Sequence, residues 1–491
     1  MGDNEIIFPQ LPEGWLKTTL GVCTEIIQGQ SPPSSTYNES GNGLPFYQGK
    51  LEFGSIYPTP RKWCDKPKKI ALEGYVLISV RAPVGPTNIC REKSCIGRGL
   101  AAIRSLNGME PFFILYLLRA SESEIAGKGT GTTFKAITGK QLRDFIIPLP
   151  PLPEQHRIVA RIEQLFTNLD AGMESLKAVR TQLKRYRQSV LKSACEGRLV
   201  PTEAELARAE GREYEPAEVL LERILEERRR KWEENKKGKR YKEAALPDMT
   251  EMSELPEGWC WVTLEQYSFE VKDGTHDSPK YQLSGIPFVT QKNIKHSGLN
   301  FSKMNYISIE DHNNFYRRSN PTRGDIIISM IGANRGMSCI VNVDTVFSIK
   351  NVGLVKPYKF YNSIKFLDIF MKSPVGQRII LEKSRGGAQS FIGLTELRGW
   401  LISLPPLAEQ HRIVAEVERR LSVADEMEKT IEQSLKQAER LRQSILKRAF
   451  EGKLVPQDPE DEPAGVLLEK IKDEKAQREK VKVKRKVNCT I

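Results

Sequence analysis

Two nearly identical stretches decide how this chain is organised. Residues 149–160 read LPPLPEQHRIVA and residues 404–415 read LPPLAEQHRIVA, so a single position differs. The match continues without a gap, from 149–201 to 404–456, with about half of the positions identical. Such fidelity at a fixed spacing indicates an internal duplication. Each half of the chain therefore carries one copy of the same structural segment.

Each copy has the signals of one long helix. The copies open with prolines, which cannot lie inside a helix, followed by Glu-Gln where a negative side chain suits the helix dipole. They end at Gly197 or Gly452, with Pro201 or Pro456 just beyond, as helices commonly do. The sequence predicts two helices of roughly 40 residues, each about 60 Å long at 1.5 Å per residue.

Apolar side chains recur every seven residues in both predicted helices, which is the pattern of a coiled-coil seam. Because each helix follows a separate globular segment, we expect the two to pair with each other in an antiparallel arrangement. A second row of the seam, three residues after the first and called the companion row, is predicted to contain Leu165, Val179, Tyr186, Met427 and Leu441. The alternative is two unrelated helices, each buried in its own domain. The predicted seam consists of Ile162, Leu169, Leu176, Leu183, Val190, Val417, Ile431 and Ile445.

The duplication extends into the segments around the helices. LPEGW opens both halves, at 11–15 and 255–259, and EPAEVLLERI after the first helix returns as EPAGVLLEKI after the second. Between these markers, short β-rich runs end at glycine turns and precede one apolar helix in each half. The sequence therefore predicts an α+β globule before each long helix.

Bulk properties narrow the class of protein. The 491 residues favour more than one core, and no apolar run approaches the roughly 20 residues that span a bilayer. The first residues, MGDNEIIFPQ, lack a leader pattern, so we expect a cytoplasmic protein. The eight cysteines form no CxxC pair, which favours reduced structural thiols. A net charge of +13 favours a polyanionic partner, although a lysine-rich tail contributes to it.

No catalytic constellation is visible. The phosphate loop GxxxxGK[ST] and the adenine-methyltransferase signature [DNS]PP[YF] are both missing from the sequence. The run GKGTGTTFK at 127–135 has the glycine density of a nucleotide loop but follows an apolar helix, so we interpret it as a turn or a DNA-backbone loop. His156 and His411 occupy one repeat position at a helix start, where packing or a subunit contact is expected. We therefore predict no catalytic, cofactor-binding or metal site in this chain.

This plan resembles the specificity subunits of type I restriction–modification enzymes. LPEGW, the runs IIPLPPLPEQHRIV and ISLPPLAEQHRIV, and the helix ends RQSVLKSACEGRLV and RQSILKRAFEGKLV carry the resemblance, which covers nearly the whole chain. It implies two globular target recognition domains separated by two long helices. The implied boundaries are 1–148 for recognition domain 1, 149–201 for the first helix, 202–254 for a charged helix and linker, 255–403 for recognition domain 2, 404–456 for the second helix, and 457–491 for a basic C-terminal helix or tail.

The resemblance also implies a function and its partners. The chain would be a non-catalytic subunit that reads a bipartite, asymmetric site in double-stranded DNA and docks two methyltransferase subunits and, through them, restriction/translocase subunits. S-adenosylmethionine, ATP and Mg would act in those partners, and the cell would be bacterial or archaeal. Two alternatives stay open: a DNA-reading subunit of another methyltransferase or nuclease system, and a coiled-coil scaffold whose globules bind protein.

Candidate DNA contacts follow from side-chain chemistry. Base reading in the major groove uses Arg for guanine and Asn or Gln for adenine, whereas phosphates need only a placed cation. Arg81 and the pair Asn334 and Arg335 are the sharpest candidates, because they lie in corresponding strand-to-turn loops of the two halves. Since these loops diverge, the two half-sites should differ. The full set of candidates is Arg61, Lys62, Arg81, Lys128, Lys135, Lys292, Asn293, Asn334, Arg335, Arg385 and Gln389.

Overall fold

The computed structural model describes residues 11–129, 135–234, 240–248, 250, 252–332, 334–358, 363–382 and 391–488, with the backbone alone for 479–488. The chain divides into two compact units. Unit 1 comprises Met1–Lys177 and Glu432–Ile491, and unit 2 comprises Ala178–Ile431. Each unit therefore contains one globule and a part of each long helix.

The first globule is an α+β domain built on a four-stranded antiparallel sheet in the order β2-β10-β7-β8. A five-stranded sheet in the order β3-β5-β4-β9-β6 includes the parallel pair β4–β9, and β1 pairs with β11. The elements are β1 (Leu16–Thr19), α1 (Leu20–Cys23), β2 (Thr24–Gln28), β3 (Tyr37–Asn38), β4 (Leu44–Tyr47), β5 (Lys62–Cys64), β6 (Ile70–Ala71), β7 (Val76–Ser79), β8 (Thr87–Ile89), β9 (Ser94–Ile96), β10 (Leu100–Ser105), α2 (Pro111–Ala120), α3 (Glu122–Gly127), α4 (Gly139–Arg143) and β11 (Ile146–Leu149).

Helix α2 begins at a sequence that favours a helix start. The Glu110 carboxylate accepts a hydrogen bond from the Phe112 N–H, and Pro111 occupies a first-turn position that needs no backbone donor. Its residues 113–118 are all buried, which is the burial expected of a helix that is apolar on every face. The helix packs on the four-stranded sheet and fixes one side of the first core.

The first long helix and two shorter helices follow. Helix α5 begins after Pro151, and the Nε2 of Gln155 donates to the Pro150 carbonyl at 3.1 Å. Gly197, with a φ of +66°, lies just beyond its end in the left-handed conformation that glycine adopts at helix C-termini. The helices are α5 (Leu152–Cys195), α6 (Glu203–Glu210) and α7 (Ala217–Glu234).

The second globule repeats the architecture of the first. Its four-stranded antiparallel sheet has the order β13-β21-β18-β19, and the sheet β17-β14-β20 again contains a parallel pair, β14–β20. Strand β12 pairs with β22, as β1 pairs with β11. The elements are β12 (Cys260–Thr263), α8 (Leu264–Tyr267), β13 (Ser268–Asp273), β14 (Ile286–Val289), β15 (Ile294–Lys295), β16 (Gly298–Leu299), β17 (Asn305–Ile307), α9 (Ile309–Ser319), β18 (Ile326–Ser329), β19 (Ser338–Ile340), β20 (Ser348–Ile349), β21 (Val352–Pro357), α10 (Ile364–Lys372), α11 (Pro374–Glu382), α12 (Leu394–Arg398) and β22 (Leu401–Leu404).

The second long helix, α13 (Leu407–Phe450), is followed by α14 (Ala464–Asn488). Leu467 and Ile471 of α14 are buried in the core of unit 1, so this helix is an integral part of that unit. Helices α14 and α7 start in the same way. The Ala464 N–H donates to the Gly14 carbonyl at 3.0 Å, and in unit 2 the Ala217 N–H donates to the Gly258 carbonyl at 2.8 Å.

The two long helices pair antiparallel, as the sequence predicts. In unit 1, Arg442 of α13 bonds to Asp170 of α5 and its guanidinium lies 4.4 Å from the Phe166 ring centroid. In unit 2, Arg187 of α5 lies 2.6 Å from Asp425 and 3.2 Å from Glu428 of α13. The first part of α5 thus meets the last part of α13 in unit 1, and the reverse holds in unit 2. Of the predicted seam, Leu169 and Leu176 are half-buried and the other six residues are buried.

The predicted companion row is wrong at four of its five positions, whereas Leu165 is half-buried against the core of unit 1. Val179, Tyr186, Met427 and Leu441 are exposed, by 42% to 53% of their surface. The structure uses the positions four residues after each seam position instead of three. Arg187 follows Leu183 in this way, and Glu428 and Arg442 follow Ala424 and Ala438, two buried alanines at the same heptad position. Apolar spacing could not reveal this row, because charged side chains that pair across the helices fill part of it.

Candidate nucleic-acid interface

A buried glutamate joins each globule to its long helix. In unit 1 the Trp15 Nε1 donates to Glu154 at 2.8 Å, and in unit 2 the Trp259 Nε1 donates to Glu409 at 3.1 Å. The Glu203 N–H also donates to Glu409, at 2.9 Å. Burial raises the pKa of both glutamates, and that of Glu409 rises to about 7. Each LPEGW turn is therefore bonded to the start of the helix that follows its globule.

Unit 1 presents a positively charged cleft of about 290 Å³ beside the β7–β8 loop. Arg81, Arg98 and Lys50 line it, together with Gln48 and Ser31, and its lining includes no carboxylate among the residues that the structure describes. Forked guanidinium groups beside an amide form the donor and acceptor set that reads base edges in DNA.

Glycines allow the loops of this cleft to approach each other closely. A Cβ added to Gly99 would lie 2.1 Å from the Gln48 carbonyl oxygen, so no other residue fits there without a backbone shift. On the opposite side, Arg81 forms an isolated antiparallel bridge with Ala136, next to Lys135. The fold thus places Lys135 one residue from the backbone partner of Arg81, which neither loop shows by itself.

The remaining candidates of unit 1 lie apart from the cleft lining. Arg61 and Lys62 are exposed at the start of β5, and Lys62 is 4.0 Å from Glu39. Lys128 is already engaged, because its Nζ lies 2.9 Å from Glu124 and 4.9 Å from the Phe145 ring centroid. A phosphate would have to compete with that carboxylate, so Lys128 is a weaker candidate than its sequence position indicated.

In unit 2, the β18–β19 loop occupies the place of the β7–β8 loop. Asn334 is exposed and Arg335 is half-buried in this loop, so the two loops correspond as the sequence indicated. Residue by residue, however, Arg81 corresponds to Ile331. Each lies two residues after the end of its strand, β7 or β18. Each also forms the equivalent isolated bridge, Arg81 to Ala136 and Ile331 to Phe391.

The turn after β14 requires a correction. Asn293 is buried, and its Oδ1 accepts from the Thr290 N–H at 2.9 Å while its Nδ2 donates to the Asn300 carbonyl at 3.1 Å. The amide is consumed in holding this turn, so Asn293 is withdrawn from the base-reading candidates. Lys292, next to it, is exposed and stays a candidate phosphate contact. The candidates Arg385 and Gln389 lie outside the described residues.

Sequence reasoning missed Arg98, Lys50 and Gln48 in unit 1. The signal was available, because Arg98 stands between two glycines and Lys50 follows one, and the candidate Lys128 also stands between two glycines. In unit 2, the exposed His276 has its Nδ1 2.7 Å from the Asn351 Oδ1 and its Nε2 3.1 Å from Asp273. The contact with Asn351 joins residues that are distant in sequence, and only the folded chain reveals it.

The described residues form neither a metal site nor a membrane-spanning helix. No group of three or more His, Cys, Asp or Glu side chains there is arranged to hold a metal ion. Within the same ranges, the helices lack the combined length and apolar character that a bilayer crossing requires.

Comparison with known proteins identifies the domain. A family model described as the type I restriction modification DNA specificity domain matches residues 12–179 and 267–437. The putative type I restriction enzyme MjaX specificity subunit of Methanocaldococcus jannaschii is 42% identical over 193 residues, which cover 39% of this chain and 44% of that subunit. The EcoBI specificity subunit of Escherichia coli is 25% identical over 490 residues, covering 94% of this chain and 93% of that subunit.

A solved structure shares the fold. The HsdS subunit from Thermoanaerobacter tengcongensis matches 91% of this chain and 98% of its own, with a TM-score of 0.54 and 19% identity. The predicted fold class, with two α+β globules and two paired long helices from an internal duplication, is confirmed. Because the family model matches both halves and more than half of the residues, this chain belongs to the type I restriction–modification DNA specificity domain family and carries two copies of that domain.

Proposed function

We propose that this chain is the DNA specificity subunit of a type I restriction–modification complex and reads a bipartite, asymmetric target. One observation carries the asymmetry: two copies of one fold present different side chains at the same place. Arg81 in the first globule corresponds to the apolar Ile331 in the second. Since guanidinium groups and apolar side chains favour different base edges, the two half-sites would differ in sequence.

The duplicated helix starts would provide equivalent docking surfaces for two methyltransferase subunits. The relationship of Trp15 to Glu154 recurs as that of Trp259 to Glu409, so each unit presents its helix start in the same local setting. Exposed His156 and His411 lie two residues after these glutamates, at one repeat position, and belong to the proposed surfaces. Restriction/translocase subunits would join the complex through the methyltransferases.

In this proposal the chain itself catalyses no reaction. S-adenosylmethionine, ATP and Mg would serve the partner subunits, which would carry out adenine methylation and ATP-dependent DNA cleavage. The complex would act in the cytoplasm of a bacterium or archaeon, on double-stranded DNA.

The test is a map of N6-methyladenine across the genome of cells that carry this chain with its native methyltransferase partner. Cells that lack only this chain are the control. A split, asymmetric motif that disappears with the chain supports the proposal. An unchanged methylation pattern in an otherwise active system would reject it in favour of a protein-binding scaffold.

Exchange of one globule sharpens the test. Replacing residues 16–149, from the start of β1 to the end of β11, with the equivalent globule of another specificity subunit should change one half-site and preserve the other. If both half-sites change, the assignment of one half-site to each globule is wrong.

A further inference from the structure

Unit 2 contains a cavity of about 610 Å³ to which the proposed function assigns no role. It lies between helix α7, the segment 240–242 and strand β13, with Arg398 of α12 at its edge. None of the candidate DNA-reading residues in the described part of unit 2 lines it. A volume in the range of about 300–1,000 Å³ is typical of small-molecule sites.

The lining is strongly cationic. It contains six Lys or Arg side chains and two carboxylates. Glu265 lies 3.2 Å from Arg228, and Glu270 lies 2.8 Å from Lys272. Glu227, outside the lining, lies 3.4 Å from Lys231, so three of the six cations have a carboxylate nearby. The excess positive charge favours an anionic occupant. The six cationic residues are Arg228, Lys231, Arg240, Lys242, Lys272 and Arg398.

Aromatic side chains line the same cavity. The rings of Trp232 and Tyr241 are 5.3 Å apart at an angle of 60°, and Phe269 contributes a third ring. The Lys231 ammonium lies 4.8 Å from the Phe269 ring centroid. Cations beside aromatic rings are the combination that holds phosphates and stacks bases in nucleotide-binding proteins.

The equivalent place in unit 1 is built differently. Helix α14 corresponds to α7 and strand β2 to β13, which puts Glu25 at the position of Phe269. Glu25 lies 3.8 Å from Arg478 and 3.7 Å from Arg104, so a carboxylate compensates the cations there. The excess of cations over carboxylates in the lining, and the aromatic wall, are therefore features of unit 2 and are not a requirement of the shared fold.

We propose that this cavity binds a nucleoside 5′-phosphate, without chemistry. Its phosphates would lie near Arg240 and Lys242, and its base would lie against Trp232 and Tyr241. S-adenosylmethionine is a poor fit, because its sulfonium and ammonium groups are cationic. The site does not depend on the DNA-reading function.

The test measures binding of ATP, AMP, adenosine and tripolyphosphate to the full chain by calorimetry. ATP should bind, tripolyphosphate should compete more weakly, and adenosine should bind at least about tenfold more weakly than ATP because it lacks phosphate. The double variant Arg240→Glu with Lys242→Glu should weaken ATP binding by at least about tenfold. Lys303→Glu, an exposed cation of unit 2 outside the cavity, should leave it unchanged.

A second variant separates stacking from charge. Tyr241→Ala should weaken ATP without weakening tripolyphosphate, because only ATP offers a ring. Equal affinity for ATP in the wild type and the double variant, or tripolyphosphate binding as tightly as ATP, would overturn the proposal. So would displacement of ATP by non-target duplex DNA, which would make the cavity a part of the DNA-binding surface.

Discussion

The indole Nε1 of Trp259 donates a hydrogen bond to the Oε1 of Glu409, although the two residues are 150 positions apart in the chain. The Glu203 N–H holds the other oxygen of the same carboxyl group. The indole of Trp259, from the turn before the second globule, and the N–H of Glu203, from the segment after α5, thus both bond to Glu409 at the start of α13. The carboxyl group is fully buried, and its ionisation is linked to the stability of unit 2.

The pH dependence of stability should reveal this linkage. Burial raises the pKa of Glu409 from about 4.5 to about 7, so the folded state holds the proton more tightly than the unfolded state. The contribution of protonated Glu409 to the stability of the folded state is fully present below the pKa of the unfolded state, about 4.5. It is lost as the pH rises through the folded-state pKa of about 7. Between pH 5 and pH 8, the wild type should lose on the order of 1–3 kcal/mol of unfolding free energy relative to Glu409→Gln.

Urea unfolding at a series of pH values checks this expectation. Glu426→Gln, an exposed residue of the same helix, is the matched control and should show no such trend. A difference between wild type and Glu409→Gln that stays constant across the pH range would contradict the linkage.

The ion pairs of the helix seam should contribute to stability. Arg187 lies between Asp425 and Glu428, with 22% of its side chain exposed, so Arg187→Ala should cost about 1–2 kcal/mol of unfolding free energy. Arg185→Ala, two positions away and exposed, should change it by less than about 0.5 kcal/mol. Equal losses in thermal unfolding would show that the seam does not depend on these pairs.

Arg81 should read one half-site. On the proposed function, Arg81→Ala lowers affinity for the half-site of the first globule by about 1–3 kcal/mol and leaves the other half-site unchanged. Competition binding with duplexes altered in one half-site at a time measures both effects. Lys93→Ala, an exposed cation outside the cleft lining, is the control. An equal loss of affinity for unrelated DNA would reduce Arg81 to a phosphate contact.

In the turn after β14, Asn293 has a structural role and the neighbouring Lys292 is a candidate DNA contact. Asn293→Ala removes the cap of the turn and should destabilise unit 2 by about 1–2 kcal/mol while DNA preference is retained. Lys292→Ala should keep stability, lower DNA affinity for all sequences and reduce the salt slope by about one. If Asn293→Ala instead changed the methylated motif without a loss of stability, Asn293 would be a base-reading residue and not a structural one.

Helix α14 should be required for unit 1. Leu467 is 4% exposed, and Leu467→Ala should cost about 2–4 kcal/mol, because a buried leucine leaves a cavity. Its neighbour Val466 is 40% exposed, and Val466→Ala should cost less than about 0.5 kcal/mol. Denaturant titrations that fail to distinguish the two variants would show that α14 does not contribute to the core.

The candidate site was only partly visible in the sequence. The strand-to-turn position of Arg81 and of the pair Asn334 and Arg335 indicated two loops, and the structure shows that these loops occupy equivalent positions in the two globules. The same reasoning selected Asn293, whose amide is consumed by a turn, and passed over Arg98, which lines the cleft with Arg81. Hydrogen-bond partners and burial decide these cases, and neither can be read from a residue's type.

The sequence by itself determined the duplication, the two long helices, their antiparallel pairing and the α+β globules. The helices and globules follow from proline and glycine boundaries and from apolar spacing, which act over a few helical turns, and the antiparallel pairing follows from the separate globule before each helix. Tertiary structure alone decided which residues form the second row of the seam, because Arg187 and Arg442 enter it only when carboxylates of the other helix meet them. It also decided that Trp259 meets Glu409, because such contacts join residues that only the folded chain brings together.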